Sequence, residues 1–223
     1  MNRSKTHPRQ KILDQVRGYY SAKIRAHGPT AQGVDWNGPE SQRLRFGQLA
    51  NVFRGSEGHF SLNDLGCGYG ALADYLAGRG FEFSYRGLDI CPEMIEQARR
   101  LHGQEPNRDR GWSFAVGSRL ETADYTLASG IFNVRGQVRG NDWQAYVQET
   151  IEEMNRHSLK GLAFNMLTSY SDPERMEARL YYADPLAVFD YCRRNLSRHV
   201  ALLHDYGLYE FTLIVRKDLN PKP

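Results

Sequence analysis

Asp64, Gly66, Gly68 and Gly70 fall inside the stretch LNDLGCGYGALADYL (Leu62 to Leu76), and Asp89 follows nineteen residues after Gly70. Three glycines at alternate positions strip the side chains from a turn between an apolar run and an amphipathic one. Glycine there reaches φ > 0 and lets a ligand touch the backbone. The spacing is GxGxG with an acid two residues before it, unlike the GxGxxG that sets a pyrophosphate on a helix N-terminus. Tight packing alone also produces such turns. Asp89 ends the second predicted strand in GLDIC, where an acid can accept hydrogen bonds from both ribose hydroxyls and so select a nucleoside without a 2′-phosphate. A turn or helix-cap aspartate is the other reading of that residue.

Elements that alternate along the chain must position these residues. From residue 60 onward short apolar runs alternate with longer amphipathic ones, the pattern of βα units on a mainly parallel sheet. Strands are predicted at Phe60 to Leu65, Ser84 to Ile90, Trp112 to Gly117, Asp124 to Phe132 and Gly161 to Leu167. Helices follow from Ala71 to Gly78 or Gly80, at Pro92 to Gly103, from a cap at Asn141 or Asp142 through Ser158, and at Asp184 to Ser197. Pro92 at a helix start, acids in the first turn, bases in the last and Gly103 as the stop make the second of these the best marked. VALLHDY and YEFTLIVRK, separated by Gly207, predict an antiparallel hairpin at the sheet edge. Residues 1–58 read as helices around AHGPTAQGVDWNGPES, whose chemistry is that of an ordered loop or lid. Residues 59–223 then form the catalytic unit.

The chain has 223 residues, 29 Lys and Arg against 26 Asp and Glu, and a net charge of +3. The bases are scattered, so a solvated surface is expected and no nucleic-acid partner. Three widely spaced cysteines give neither a disulfide framework nor a zinc site. The first twenty residues are polar with no apolar h-region, so no leader is expected, and no run reaches the ~20 apolar residues of a membrane span. A soluble cytoplasmic protein with a small-molecule partner is expected.

A parallel βα series ending in an antiparallel hairpin resembles the class I S-adenosylmethionine-dependent methyltransferases, and the resemblance runs from about Phe60 to Lys217. It implies a Rossmann-like α/β fold: a seven-stranded, mainly parallel sheet with a C-terminal hairpin, helices on both faces and an N-terminal helical lid. It implies S-adenosylmethionine as cofactor, Asp64 near its amino-acid part, Gly66, Gly68 and Gly70 along its ribose and methionine stem, and Ile90 and Cys91 beside the adenine. Where many relatives carry an aspartate for the adenine amino group, VGSRL offers Ser118. Its hydroxyl and the Arg119 backbone N–H are the candidates for that contact.

The ligand crevice of a parallel sheet lies beyond the carboxyl ends of its strands, so Ser129, Phe132 and Asn133 of ASGIFNV should face the sulfonium. Phe132 serves there as a cation-π wall or as ordinary core. Asn133 resembles the polar residue that orients an amine or amide, but the NPPY sequence of nucleic-acid N-methyltransferases is missing. Tyr170 in the segment NMLTSYSDPERMEARLYYADP either caps the pocket or packs on the surface. From the N-terminal segment, Trp36 is expected in the lid. Arg45, or its neighbour Arg43, is a candidate for the cofactor carboxylate, against solvation as its default.

Methyl transfer needs near-attack geometry above all. Four candidate bases, His27, His157, His199 and His204, lack a fixing signature, and no carboxylate cluster predicts a metal. The leading reading is therefore methyl transfer to a small acceptor, with S-adenosylhomocysteine as product. The second is cyclisation of S-adenosylmethionine to azetidine-2-carboxylate with release of methylthioadenosine, for which Phe132, Asn133, Tyr170 and Ser197 look similar to the site of the enzymes that do so. The third is a non-catalytic cofactor-binding protein.

Overall fold

The computed structural model describes residues 8–103, 107 and 109–217. Among these residues eight strands form: β1 (Phe60–Leu65), β2 (Phe83–Asp89), β3 (Trp112–Val116), β4 (Ala123–Ala128), β5 (Ser158–Thr168), β6 (Tyr182–Ala183), β7 (His199–Leu203) and β8 (Glu210–Arg216). They run in the order β3-β2-β1-β4-β5-β8-β7, and β6 pairs with the end of β5. Pairings among β1 to β6 are parallel, whereas β8 is antiparallel to both β5 and β7. Among the described residues they are accompanied by the helices α1 (Pro8–His27), α2 (Pro39–Ala50), α3 (Ala71–Gly78), α4 (Pro92–His102), α5 (Gly140–Arg156) and α6 (Pro185–Asn195).

Side chains alternate across each strand, which splits the core in two. On one face Phe164, Met166, Phe211, Leu213 and Val215 meet Trp143 and Ile151 of α5 and Ile12 and Val16 of α1. On the other, Phe60, Leu62, Tyr85, Phe114 and Ile214 meet Phe46 and Leu49 of α2, Leu72 and Leu76 of α3 and Ile95 of α4. Both N-terminal helices thus belong to the packing of the sheet. α1 is also tied to the start of α4 by the Ser21 hydroxyl, which donates to Glu93 at 3.0 Å.

Three expectations are corrected. β4 stops at Ala128, short of Phe132, because Gly130 turns at φ +75 and gives its N–H to the Asn165 side chain at 2.8 Å. α5 begins at Gly140, so Asp142 sits in its first turn and bonds Arg139. β5 extends to Ser158–Thr168, and the two-residue β6 emerges from the predicted lid segment. Its pairing depends on Leu167 and Thr168, which a two-residue run does not announce.

Candidate active site

Strand order reverses at β1, whose neighbours β2 and β4 lie on either side, and in open parallel sheets that switch point is where ligands bind. A cleft of about 940 Å³, open to solvent, lies there. The turn after β1 (Asp64 to Tyr69) and the residues after β4 (Ser129 to Ile131) form its floor, with Asp89, Ile90 and Ser118 beside them. Arg9, Leu13, Val16 and Tyr20 cover it from one face of α1, and Val34 and Trp36 from the end of the following 3-10 turn and the residues just after it.

The glycines do different work. A Cβ on Gly66 would stand 2.2 Å from Ile131 Cγ2, and one on Gly68 would stand 3.0 Å from Val34 Cγ1. Both backbones are left-handed, so only glycine keeps this floor low. Gly70 also has positive φ, but its Cβ would strike the His102 ring and Phe114, and it does not line the cleft. Its expected place along the ligand is corrected to one of packing.

Two carboxylates define the polar end. The Asp89 oxygens accept from Gly68 N at 2.9 Å and Cys91 N at 2.8 Å, which fixes the side chain and leaves each oxygen a further acceptor site. Enclosure still pushes its pKa up to about 6. Asp64 is 2% exposed and accepts from the Tyr85 hydroxyl. Burial, opposed by that hydrogen bond, raises it to about 7. A cationic or hydroxyl-bearing ligand would relieve both desolvated acids. Ser129 Oγ lines the same cleft, buried and with no partner among the described residues.

Across Trp36 lies a second, more polar cavity that shares Tyr20, Val34 and Trp36 with the first. Arg45 is 6% exposed there and grips Glu210 of β8 through Nε at 2.8 Å and Nη2 at 2.7 Å. Its guanidinium lies 3.9 Å from the centroid of the Trp36 ring. Glu210 also accepts from Asn165 Nδ2, and Asn165 Oδ1 takes the Gly130 N–H of the cleft floor. The loop closes on itself, because a Cβ on Gly130 would be 2.3 Å from Trp36. A second network joins Asp35 to Lys23 and Tyr19, each at 2.6 Å, and to Arg179 at 3.2 Å. Burial works against the Asp35 charge, but the bonds from Lys23 and Tyr19 and the nearby Arg179 hold its pKa below the usual carboxylate range.

The structure gathers Asp64, Gly66, Gly68, Asp89, Ile90, Ser118, Ser129 and Trp36 around one cleft. It sends others elsewhere. Arg119 is exposed and lies off the cleft, and Cys91 is fully buried off it, bonded to Ser21 and Glu93. Arg45 is spent on Glu210 in the second cavity, so it is not free for a carboxylate in the cleft. Phe132 is wholly buried against Phe164 in the core, and Asn133 lines the second cavity with Oδ1 accepting Leu167 N at 3.2 Å. Tyr170 is 64% exposed and packs near His204 outside both cavities. Ser197 bonds Arg216 O at 2.6 Å, at the end of β8 that faces the start of β5, opposite the cleft. Phe132, Asn133, Tyr170 and Ser197 therefore do not form one site. The sequence reading missed Asn165 and Glu210. An acid heading the apolar strand EFTLIVR was a usable signal, since a buried charge demands a partner.

A family model described as a methyltransferase domain matches residues 63–157. "Putative methyltransferase Rv1506c" of Mycobacterium tuberculosis is 52% identical over 159 residues, 71% of this chain and 93% of that one. Among solved structures, magnesium protoporphyrin IX methyltransferase from Synechocystis PCC 6803, with bound SAM, is similar at a TM-score of 0.63 and 14% identity, covering 97% of this chain and 100% of its own. Human N-acetylserotonin methyltransferase, in complex with SAM, is similar at 0.55 and 14%, over 93% of this chain and 57% of that one. Those two similarities concern the fold, and the 52% relative extends the kinship to sequence. The chain belongs to the class I S-adenosylmethionine-dependent methyltransferase family.

Proposed function

We propose that the protein transfers a methyl group from S-adenosylmethionine to a small-molecule acceptor held in the second cavity. The carrying observation is the pair of cavities that meet at Trp36, one floored by glycine and acid, the other polar. The cleft residues fit the cofactor: Asp89 has acceptor sites left for ribose hydroxyls, Asp64 can take an ammonium, and Ser129 Oγ awaits a partner. When bound, S-adenosylmethionine supplies an electrophilic methyl group and leaves as S-adenosylhomocysteine.

The chain's own residues position and seal. Asp89, held by two backbone N–H groups, fixes the sugar without needing to reorganise. Ile90 and Met94 offer apolar contact to a base, and Ser118 offers a hydroxyl at its edge. Trp36 and Tyr20 stand where the cleft and cavity meet and exclude water from the line of transfer. Orientation of this kind supplies effective molarities of ~10⁵ to 10⁸ M, enough for a reactive nucleophile without a strong base.

Incubation of the purified protein with S-adenosylmethionine and a pool of small metabolites, with products identified by mass spectrometry, tests the reading. S-adenosylhomocysteine appearing with a methylated metabolite supports it. Methylthioadenosine with a four-membered cyclic amino acid, formed without any acceptor, would overturn it in favour of self-cyclisation.

A further inference from the structure

We propose that the second cavity recognises a neutral, hydroxyl-rich ring compound, such as a glycoside or cyclitol, and discriminates against acids and amines. Its charged lining is balanced: Arg45, Arg175 and Arg179 face Asp35, Glu177 and Glu210. Each is already answered within the protein. Arg45 holds Glu210, Arg179 holds Glu177 at 2.8 Å and Asp35 at 3.2 Å, and Arg175 lies 3.9 Å from Asp172 and over the Tyr209 ring. Lys23 adds a further cation on Asp35. An ionic ligand entering here would find no free counter-charge and would lose its hydration for nothing.

Hydrogen-bonding capacity, in contrast, is left over. Arg45 carries five N–H donors in a rigid fork; Nε and Nη2 serve Glu210, and Nη1 is buried with no acceptor among the described residues. Asn133 uses Oδ1 on the backbone and leaves Nδ2 without a partner among the described residues. A buried donor such as Arg45 Nη1 is rare enough to need a cause, and a hydroxyl oxygen is an acceptor that brings no charge. Carboxylates already fixed by arginines keep spare lone pairs for hydroxyl protons. Trp36, Tyr20, Tyr182 and Tyr209 line the cavity beside these groups; Arg45 and Arg175 lie over one face of Trp36 and of Tyr209, and the Tyr20 and Tyr182 rings remain to meet the C–H face of a ring. Donors, acceptors and aromatic faces together, at zero net charge, match a polyol better than any ion.

Calling this compound the acceptor rests on the methyl-transfer reading; its recognition by the cavity does not. The test uses the full chain saturated with S-adenosylhomocysteine, after calorimetry has established that the latter binds. Methyl glucopyranoside, methyl galactopyranoside, methyl mannopyranoside and myo-inositol are compared by saturation-transfer NMR and competition with methyl glucuronoside and methyl 2-amino-2-deoxyglucopyranoside. At least one neutral compound should bind about tenfold more tightly than both charged analogues. Tighter binding of the acid or the amine, or binding of none at millimolar concentration, overturns the proposal. Arg45→Met should abolish the signal, and because it strands Glu210 it is paired with Arg45→Met/Glu210→Gln, which removes both charges. Loss of sugar binding with S-adenosylhomocysteine binding intact in the double variant supports the assignment. Unchanged sugar binding there overturns it. Failure of S-adenosylhomocysteine to bind the native protein would instead strike the proposed function.

Discussion

The cleft beyond β1 and the cavity beyond β5 and β8 share Trp36 but are made from different materials. The floor of the cleft is built from short consecutive runs after β1 and β4, with glycines at φ +77 and φ +55 that clear it and one acid pinned by backbone N–H groups. The cavity is built from side chains drawn from α2, β5 and β8, and from the segments around Asp35 and Arg179, each neutralised by another. The first is a shape that the backbone imposes. The second is a balance of charges that exists only when distant segments meet. A ligand needs the first to be open and the second to be complete.

The largest expected effect strikes the balance. Arg45→Met leaves Glu210 buried without its partner, and urea unfolding should show about 3 to 5 kcal/mol of lost stability, most of it regained when Glu210→Gln is added. A loss that the second change does not repair would mean that Arg45 acts by packing on Trp36. Next comes the cleft. Asp89→Ala should weaken S-adenosylhomocysteine about 10- to 100-fold in calorimetry, from the loss of charge-assisted ribose contacts. An unaltered affinity would remove Asp89 from the site.

A smaller effect distinguishes the two regions by pH. Asp64 and Asp89 are pushed up to about 7 and about 6 in the fold, so the native state binds more protons than the unfolded chain between their ordinary and raised values. The stability they contribute is complete below about pH 4 and is lost as pH rises through 6 to 7. The ligand-free melting temperature should therefore fall by a few degrees between about pH 5 and pH 8, and Asp64→Asn should flatten the slope. Asp35, held below the usual range, contributes in the opposite sense: its stabilisation is present above the ordinary carboxylate pKa and disappears only in stronger acid. The smallest effect is outside both regions. Tyr170→Ala should change unfolding stability by less than about 0.5 kcal/mol and leave S-adenosylhomocysteine affinity unchanged. A clear loss of affinity would bring the exposed β5–β6 segment into the site.

How legible each region was follows from its range in sequence. The glycine turn, Asp89, Ile90 and Ser118 could be read because each lies at or just beyond the end of a strand whose own residues announce it. Phe132 was read as a wall of the site because β4 was extended too far. Nothing in ASGIF shows that Gly130 will give its N–H to Asn165, thirty-five residues away, and turn Phe132 into the core. Ser197 and Tyr170 failed for a related reason: β8 runs antiparallel, which carries Ser197 to the opposite end of the sheet, and β6 adds beside β5 and leaves Tyr170 outside.

By itself the sequence determined the α/β alternation, the closing hairpin and the glycine and acid at the switch point, because periodicity, turn chemistry and backbone freedom are local properties. Tertiary structure alone decided that Arg45 would answer Glu210 instead of a cofactor, that Trp36 would lie on Gly130, and that a second cavity would carry matched charges. Burial makes an unpartnered ion costly, and which ion arrives to answer it depends on how strands and helices pack.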